Sequence, residues 1–343
     1  MPPISAHPAA SLLTSADAGA LNAALRGEPD SRFHLLPRLL RHAGFYQHRA
    51  ARAIEALLPA SAPEVSRTLA ALPALEPQPR GRQLLDVPVP AAAPSAGVEV
   101  RQGHLGDCWF IAALAACEHA QPGFISCRIR WLPNGLAQVR LHTGLRPRWV
   151  TISAFVPARH RAGDARGRAN WASLVEKAAA VSFGRGSYTG LQHGFAGNAF
   201  YLLTGRLTPA RPVPGLQQIR AWLNAGRPVV ASTLTRRRSA RLIAREDDPS
   251  RHIAVMNGHV YVVCGVAAVD EDGRPRHDGQ PRTDRQPSAD AVPPERLRIH
   301  VRNPLGGRDP RPGTPHPRRT DLFLSEAQFR RIFLSVNVGP PLR

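Results

Sequence analysis

Gln102-Gly103-His104-Leu105-Gly106-Asp107-Cys108-Trp109-Phe110 runs directly into Ile111-Ala112-Ala113-Leu114-Ala115-Ala116. A polar loop with two glycines opens an alanine-rich, apolar helix, and a cysteine stands at the junction. The N–H groups and positive dipole end of a helix N-terminus favour an anion, so this placement predicts a thiol that ionises easily. The thiolate is the nucleophilic form. Glycines allow a tight turn and let a substrate approach the sulfur. Acyl transfer also needs donors for the developing oxyanion, and the Gln102 side-chain amide and the Cys108 backbone N–H are the candidates. Taken alone, the stretch reads equally as a structural cysteine opening a core helix.

A thiolate needs a base, and two later stretches offer one together with its support. Asn257-Gly258-His259 precedes Val260-Tyr261-Val262-Val263-Cys264-Gly265-Val266. That apolar, β-branched run predicts a buried strand with His259 at its mouth. Leu297-Arg298-Ile299-His300-Val301 alternates and then stops at Arg302-Asn303-Pro304-Leu305-Gly306-Gly307. Asn303 therefore falls at a strand end, where Pro304 prevents further pairing. Singly, either residue reads as an ordinary core or turn residue. Together, the order Cys108, His259, Asn303 suits a papain-like arrangement. There the histidine holds the thiolate as an ion pair and later protonates the leaving amine, while the asparagine orients the imidazole.

These residues resemble a known family. Gln102 to Ala116 is similar, almost letter for letter, to the nucleophile motif of the calpain-type cysteine proteases, Gln-Gly-x-Leu-Gly-Asp-Cys-Trp followed by a helix of small apolar residues. Gly258-His259-Val260-Tyr261 resembles the family's Gly-His-Ala-Tyr, and Arg302-Asn303-Pro304 its Arg-Asn-Pro. Trp171-Ala172-Ser173-Leu174-Val175-Glu176-Lys177-Ala178 resembles its Trp-x-x-Leu-Leu-Glu-Lys-Ala helix. Gly186-Ser187-Tyr188 and Leu203-Thr204-Gly205 follow at familiar offsets. The resemblance covers roughly residues 82–338.

The resemblance implies an α+β, papain-like cysteine protease fold. In it a helical left subdomain carries Cys108, an antiparallel-sheet right subdomain carries His259 and Asn303, and a small helical module precedes both. It implies a calpain-like cysteine endopeptidase of the calcium-dependent type, cleaving protein substrates through a Cys108–His259–Asn303 triad with Gln102 in the oxyanion hole. A deamidase or acyl transferase using the same triad is the alternative, and a non-catalytic binding module on a protease fold is another. The chemistry requires no cofactor. Calcium enters by resemblance alone, with no ligand motif to match, so the metal is left unknown. Protein substrates are the implied partners, and an inhibitor or immunity protein is a further candidate. The chain departs from the family at Leu305, where tryptophan usually follows Asn-Pro and is expected to shield the His–Asn contact. The interval from His259 to Asn303 is also longer than usual. The charged, proline-rich stretch 270–296 accounts for that length as a flexible insert.

Composition narrows the classes. The 343 residues suffice for one large domain or two modest ones, and 43% hydrophobic content fits a globular chain. No run of eighteen apolar residues predicts a transmembrane helix. The start, Met1-Pro2-Pro3-Ile4-Ser5-Ala6-His7, lacks the basic and apolar regions of a conventional signal peptide. The expected location is the cytoplasm, or export by a specialised secretion system as a bacterial effector or toxin. Four cysteines, none in a C-x-x-C pair, read as free thiols. The formal net charge of +20 comes almost wholly from arginine, since Lys177 is the only lysine. Abundant alanine, proline, glycine and arginine together point to coding bias. The arginine clusters lack interleaved aromatics, so no specific nucleic-acid partner is expected.

In chain order, residues 1–80 read as a helical N-terminal module with a disordered start. It suits an accessory domain, a targeting signal or an inhibitory pro-segment alike. Residues 81–343 read as the catalytic domain. Within it we expect a hairpin of Arg128–Leu132 and Ala137–His142 turning at Asn134-Gly135, and a strand from Arg148 to Phe155. A helix capped by Asn170, another over Leu216 to Gly226 and a strand over Pro228 to Thr233 follow. Last come a short amphipathic helix after Ser325 and an edge strand over Ser335 to Val338.

Overall fold

The computed structural model describes residues 85–90, 100–132, 136–144, 146–235, 240–244, 252–268, 296–306 and 320–342. The expected N-terminal module over 1–80 lies outside the described residues, as does the expected insert over 270–296 apart from Arg296. In chain order the elements are β1 (Leu85–Pro88), α1 (Cys108–Ala120), β2 (Ile129–Leu132), β3 (Leu136–His142), β4 (Pro147–Ser153), β5 (Phe155–Pro157), α2 (Trp171–Ser182) and α3 (Ala196–Thr204). They continue with β6 (Arg211–Pro212), α4 (Leu216–Asn224), β7 (Val229–Thr233), β8 (Ala240–Ala244), β9 (His252–Met256), β10 (Val260–Ala268), β11 (Leu297–Arg302), β12 (Asp321–Leu324), α5 (Glu326–Ile332) and β13 (Phe333–Val338). They fall into two compact units.

The first unit takes residues 103–106, 125–192 and the segment of β1. Strands β2, β3 and β4 form an antiparallel sheet in that order, and β1 pairs with β5. The predicted hairpin pairs Leu132 with Leu136, and its turn residues lie outside the described set. Alternation explains the core here: Ala137, Val139 and Leu141 are buried, while Arg140 between them is exposed. Helix α2 packs on β3 and β4. Its start is fixed by a capping box, with the Asn170 side chain accepting from the Ala172 N–H at 3.0 Å and Ser173 Oγ accepting from the Asn170 N–H at 3.1 Å. Glu176 and Lys177, adjacent on α2, are both fully buried and serve different segments. Glu176 accepts from the Ala162 N–H at 2.9 Å. Lys177 Nζ donates to Ser153 O at 3.0 Å, Ser153 Oγ at 2.9 Å and Phe155 O at 2.6 Å. These three bonds offset the penalty of burying an ammonium.

The second unit takes 100–102, 107–124 and the described chain from His193 onward. Its antiparallel sheet runs β12-β11-β10-β7-β13-β6. One face carries Val229, Ala231, Tyr261, Val263, Ile299 and Val301, packed with Leu216 and Ile219 of α4 and Phe329 and Ile332 of α5. On the opposite face Val230, Val260 and Val262 are equally buried, and α1 packs on β7 and β10. Cover on both faces is why the run from Val260 to Val263 is continuously apolar. Helix α1 is buried from Trp109 to Leu114 and so is apolar all round.

Two expectations change, and one pairing is new. The helix bearing Cys108 belongs to the same compact unit as the sheet, because its apolar surface packs on β7 and β10. Strand β13 is not an edge: it lies between β7 and the two-residue β6, which is too short to leave a periodic signal. The β8–β9 ribbon, paired from Ala240↔Met256 to Ala244↔His252, answers to no element expected from the sequence.

Candidate active site

Three segments of the second unit converge. The first is the entry to α1. Asp107 occupies the N-cap position, where its carbonyl accepts from the N–H of Phe110 at 2.8 Å and of Ile111 at 3.1 Å. Its side chain makes no capping bond to the helix. Asp107 is fully buried and its carboxylate instead accepts from Gln102 Nε2 at 3.2 Å. One donor of the Gln102 amide is thereby held in place, and the amide plane with it. The backbone of Gln102 is fixed too, since its N–H donates to Pro304 O at 2.7 Å. Arg101 Nε donates to Leu305 O at 3.1 Å. The oxyanion candidate is thus clipped to the turn that carries Asn303.

The second segment is the bend from β9 into β10. Gly258 takes φ +59°, a conformation that favours glycine, and its N–H donates to Leu234 O at 2.9 Å. The bend brings His259 back beside Thr233 at the end of β7. The His259 N–H donates to Thr233 Oγ1 at 3.0 Å, and the Thr233 N–H donates to His259 O at 3.0 Å. The Tyr261 ring meets the imidazole edge-to-face, with centroids 5.1 Å apart at 90°.

The third segment follows β11. The Asn303 N–H donates to Thr320 O at 2.7 Å, extending the β11–β12 ladder by one bond before the proline. His259 Nε2 and Asn303 Oδ1 lie 2.9 Å apart, and both side chains are buried, at 5% and 3% exposure. The same oxygen accepts from the Leu305 N–H at 3.0 Å. A backbone donor cannot be reversed, so it fixes which end of the Asn303 amide is oxygen. Nε2 of His259 then carries the proton, and Nδ1 is the basic nitrogen.

Cys108 is half-buried, and the backbone amide of Val260, the residue after His259, is among the groups that favour loss of its proton. The helix that Cys108 opens packs on β10, the strand that follows His259. The expectation of an easily ionised thiol does not hold for the sulfur by itself. Burial pushes its pKa from 9.0 up to about 11; the Val260, Trp109 and Cys108 amides pull it down, while the neighbouring Asp107 carboxylate adds to the rise. The helix N-terminus is present, but a buried carboxylate at the N-cap works against it.

All four sequence-predicted site residues, Cys108, Gln102, His259 and Asn303, thus belong to one compact unit. Sequence reasoning missed Asp107 as the seat of Gln102, although its place between glycine and cysteine at a helix start was a usable signal. It also missed Thr233 and Met256, whose contacts with the site are tertiary and leave no local pattern.

The model of the calpain family of cysteine proteases matches residues 80–308 of this chain. The chain belongs to that family. No curated protein sequence matches it. Among the described residues no three His, Cys, Asp or Glu side chains are grouped so that they could hold a metal ion. No helix among the described residues is long and apolar enough to cross a membrane.

Proposed function

We propose that the chain is a cysteine endopeptidase acting on protein substrates, with Cys108 as nucleophile, His259 as base and then acid, and Asn303 as the group orienting His259. The observation that carries the reading is the 2.9 Å His259–Asn303 contact, buried and oriented, in the same compact unit as Cys108. The thiol proton passes to His259 Nδ1, and the sulfur attacks the peptide carbonyl, forming a C–S bond. The oxyanion takes its bonds from the Gln102 amide and the Cys108 N–H. As the intermediate collapses, the C–N bond breaks and the imidazolium proton goes to the leaving amine. Water, deprotonated by His259, then hydrolyses the thioester and restores the thiol.

The raised thiol pKa supports giving His259 a larger role. A sulfur whose pKa is raised to about 11 is mostly protonated at neutral pH, so the proposed attack needs a base, and that role goes to His259. The test incubates the purified full chain, and its Cys108→Ala variant, with casein and with a thiol-reactive peptide probe. Cleavage and labelling that both vanish in the variant support the reading. Cleavage retained in Cys108→Ala overturns it. Ammonia release or transfer to an amine without peptide cleavage moves the same triad to deamidase or acyl-transfer chemistry.

A further inference from the structure

Leu305 stands where the family's shielding tryptophan is expected, yet Asn303 is almost fully buried. Asn303 Nδ2 points at the thioether sulfur of Met256, with the two atoms 3.9 Å apart. Met256 is itself tied into the histidine's surroundings. Its N–H donates to Tyr261 Oη at 3.0 Å, and its carbonyl accepts from Thr233 Oγ1 at 2.9 Å. Tyr261 is the ring that meets the imidazole edge-on, and Thr233 is the hydroxyl that receives the His259 N–H. One residue at the end of β9 therefore touches Asn303 through its side chain and both neighbours of His259 through its backbone.

Building on the triad reading, we propose that Met256 is a positioning residue, whose thioether covers the Asn303 amide and so does the work of the missing tryptophan. A thioether is a weak acceptor and a large apolar body. It meets Nδ2 without competing for the oxygen, and it keeps water from the amide. The oxygen then stays on His259 and the Leu305 N–H. Exclusion of water strengthens the His259–Asn303 bond, which is what holds the imidazole as the Nε2–H tautomer. Met256 acts on the reaction only through Asn303 and His259.

The test compares three variants of the full chain. Met256→Ala opens Asn303 to water and should lower kcat about tenfold or more with KM unchanged. It should also alter the pH profile of thiol-probe labelling, because the thiolate–imidazolium pair loses its fixed imidazole. Met256→Leu keeps the cover and should stay within a few-fold of the parent. Adding Leu305→Trp to Met256→Ala restores a shield from the other side and should recover most of the loss. A Met256→Ala chain with unchanged kcat and pH profile would overturn the proposal. So would a loss that neither Met256→Leu nor the tryptophan repairs. Imidazole ¹⁵N shifts of His259, read in a Cys108→Ala background with the imidazole neutral, give a readout independent of turnover: the Nε2–H tautomer should dominate with Met256 or Met256→Leu, and mix with Met256→Ala. Should casein stay uncut by the parent, these shifts still decide the role of Met256, so its failure and that of the protease reading remain distinct.

Discussion

At the scale of the residue, the site rests on a conflict at one sulfur. Burial and Asp107 hold the Cys108 proton, while three backbone amides favour its loss, and the proton wins until about pH 11. In the proposed mechanism its removal at neutral pH falls to His259. In a His259→Ala variant, alkylation of Cys108 should therefore rise with a midpoint near pH 11, whereas the parent should label readily near neutrality. A stopped-time labelling series across pH checks both. The sign is set by the raised pKa, since a thiol pushed above its ordinary value ionises later, not earlier. Gln102→Ala should lower kcat by roughly 10²–10³, the scale of one oxyanion donor, with steady-state kinetics as the check. Unchanged turnover would remove Gln102 from the mechanism. Cys108, Gln102, His259 and Asn303 were readable in the sequence because each sits in a local motif at the start or end of an element. The thiol's raised pKa was not, because it comes from surroundings assembled by the sheet.

At the scale of the element, the entry of α1 is held by close packing. A Cβ on Gly194 would lie 2.2 Å from Trp109 Cε2, so Gly194→Ala must push the ring of Trp109, next to Cys108, out of place. Overpacking of this kind costs about 1–3 kcal/mol, and we expect lost stability together with reduced labelling of Cys108. Chemical denaturation and the peptide probe measure the two effects. Asn170→Ala removes the side-chain oxygen that caps α2 and should cost about 1 kcal/mol by the same denaturation measurement, since caps of this type contribute that much. Helices α2, α4 and α5 were legible because each opens or closes on punctuation: Asn170, Gly226 and Ser325. Strands β7, β10 and β11 were legible from β-branched runs. The β8–β9 ribbon was not, since its residues alternate weakly and its pairing is with itself. Strand β13 was found but misplaced, because nothing local to its sequence records that β6, far earlier in the chain, closes over it.

At the scale of the whole molecule, the α+β class and the antiparallel sheet were legible because motif, turn and strand signals agreed along the chain. The allocation of α1 to the unit that holds the sheet was not, because it depends on which surfaces its all-round apolar faces meet. The first unit is organised around Lys177, whose ammonium supplies three bonds to the backbone and hydroxyl of Ser153 and to Phe155. Lys177→Met keeps the bulk but leaves those buried acceptors without a donor. It should destabilise the chain by about 3 kcal/mol or more, read as a lowered Tm in calorimetry. The same lysine is the only one in the sequence. A folded copy therefore offers no side-chain amine on its surface. Amine-directed crosslinkers, acetyl donors and enzymes that build isopeptide bonds on lysine would find their sole side-chain target sealed inside the core until the fold opens.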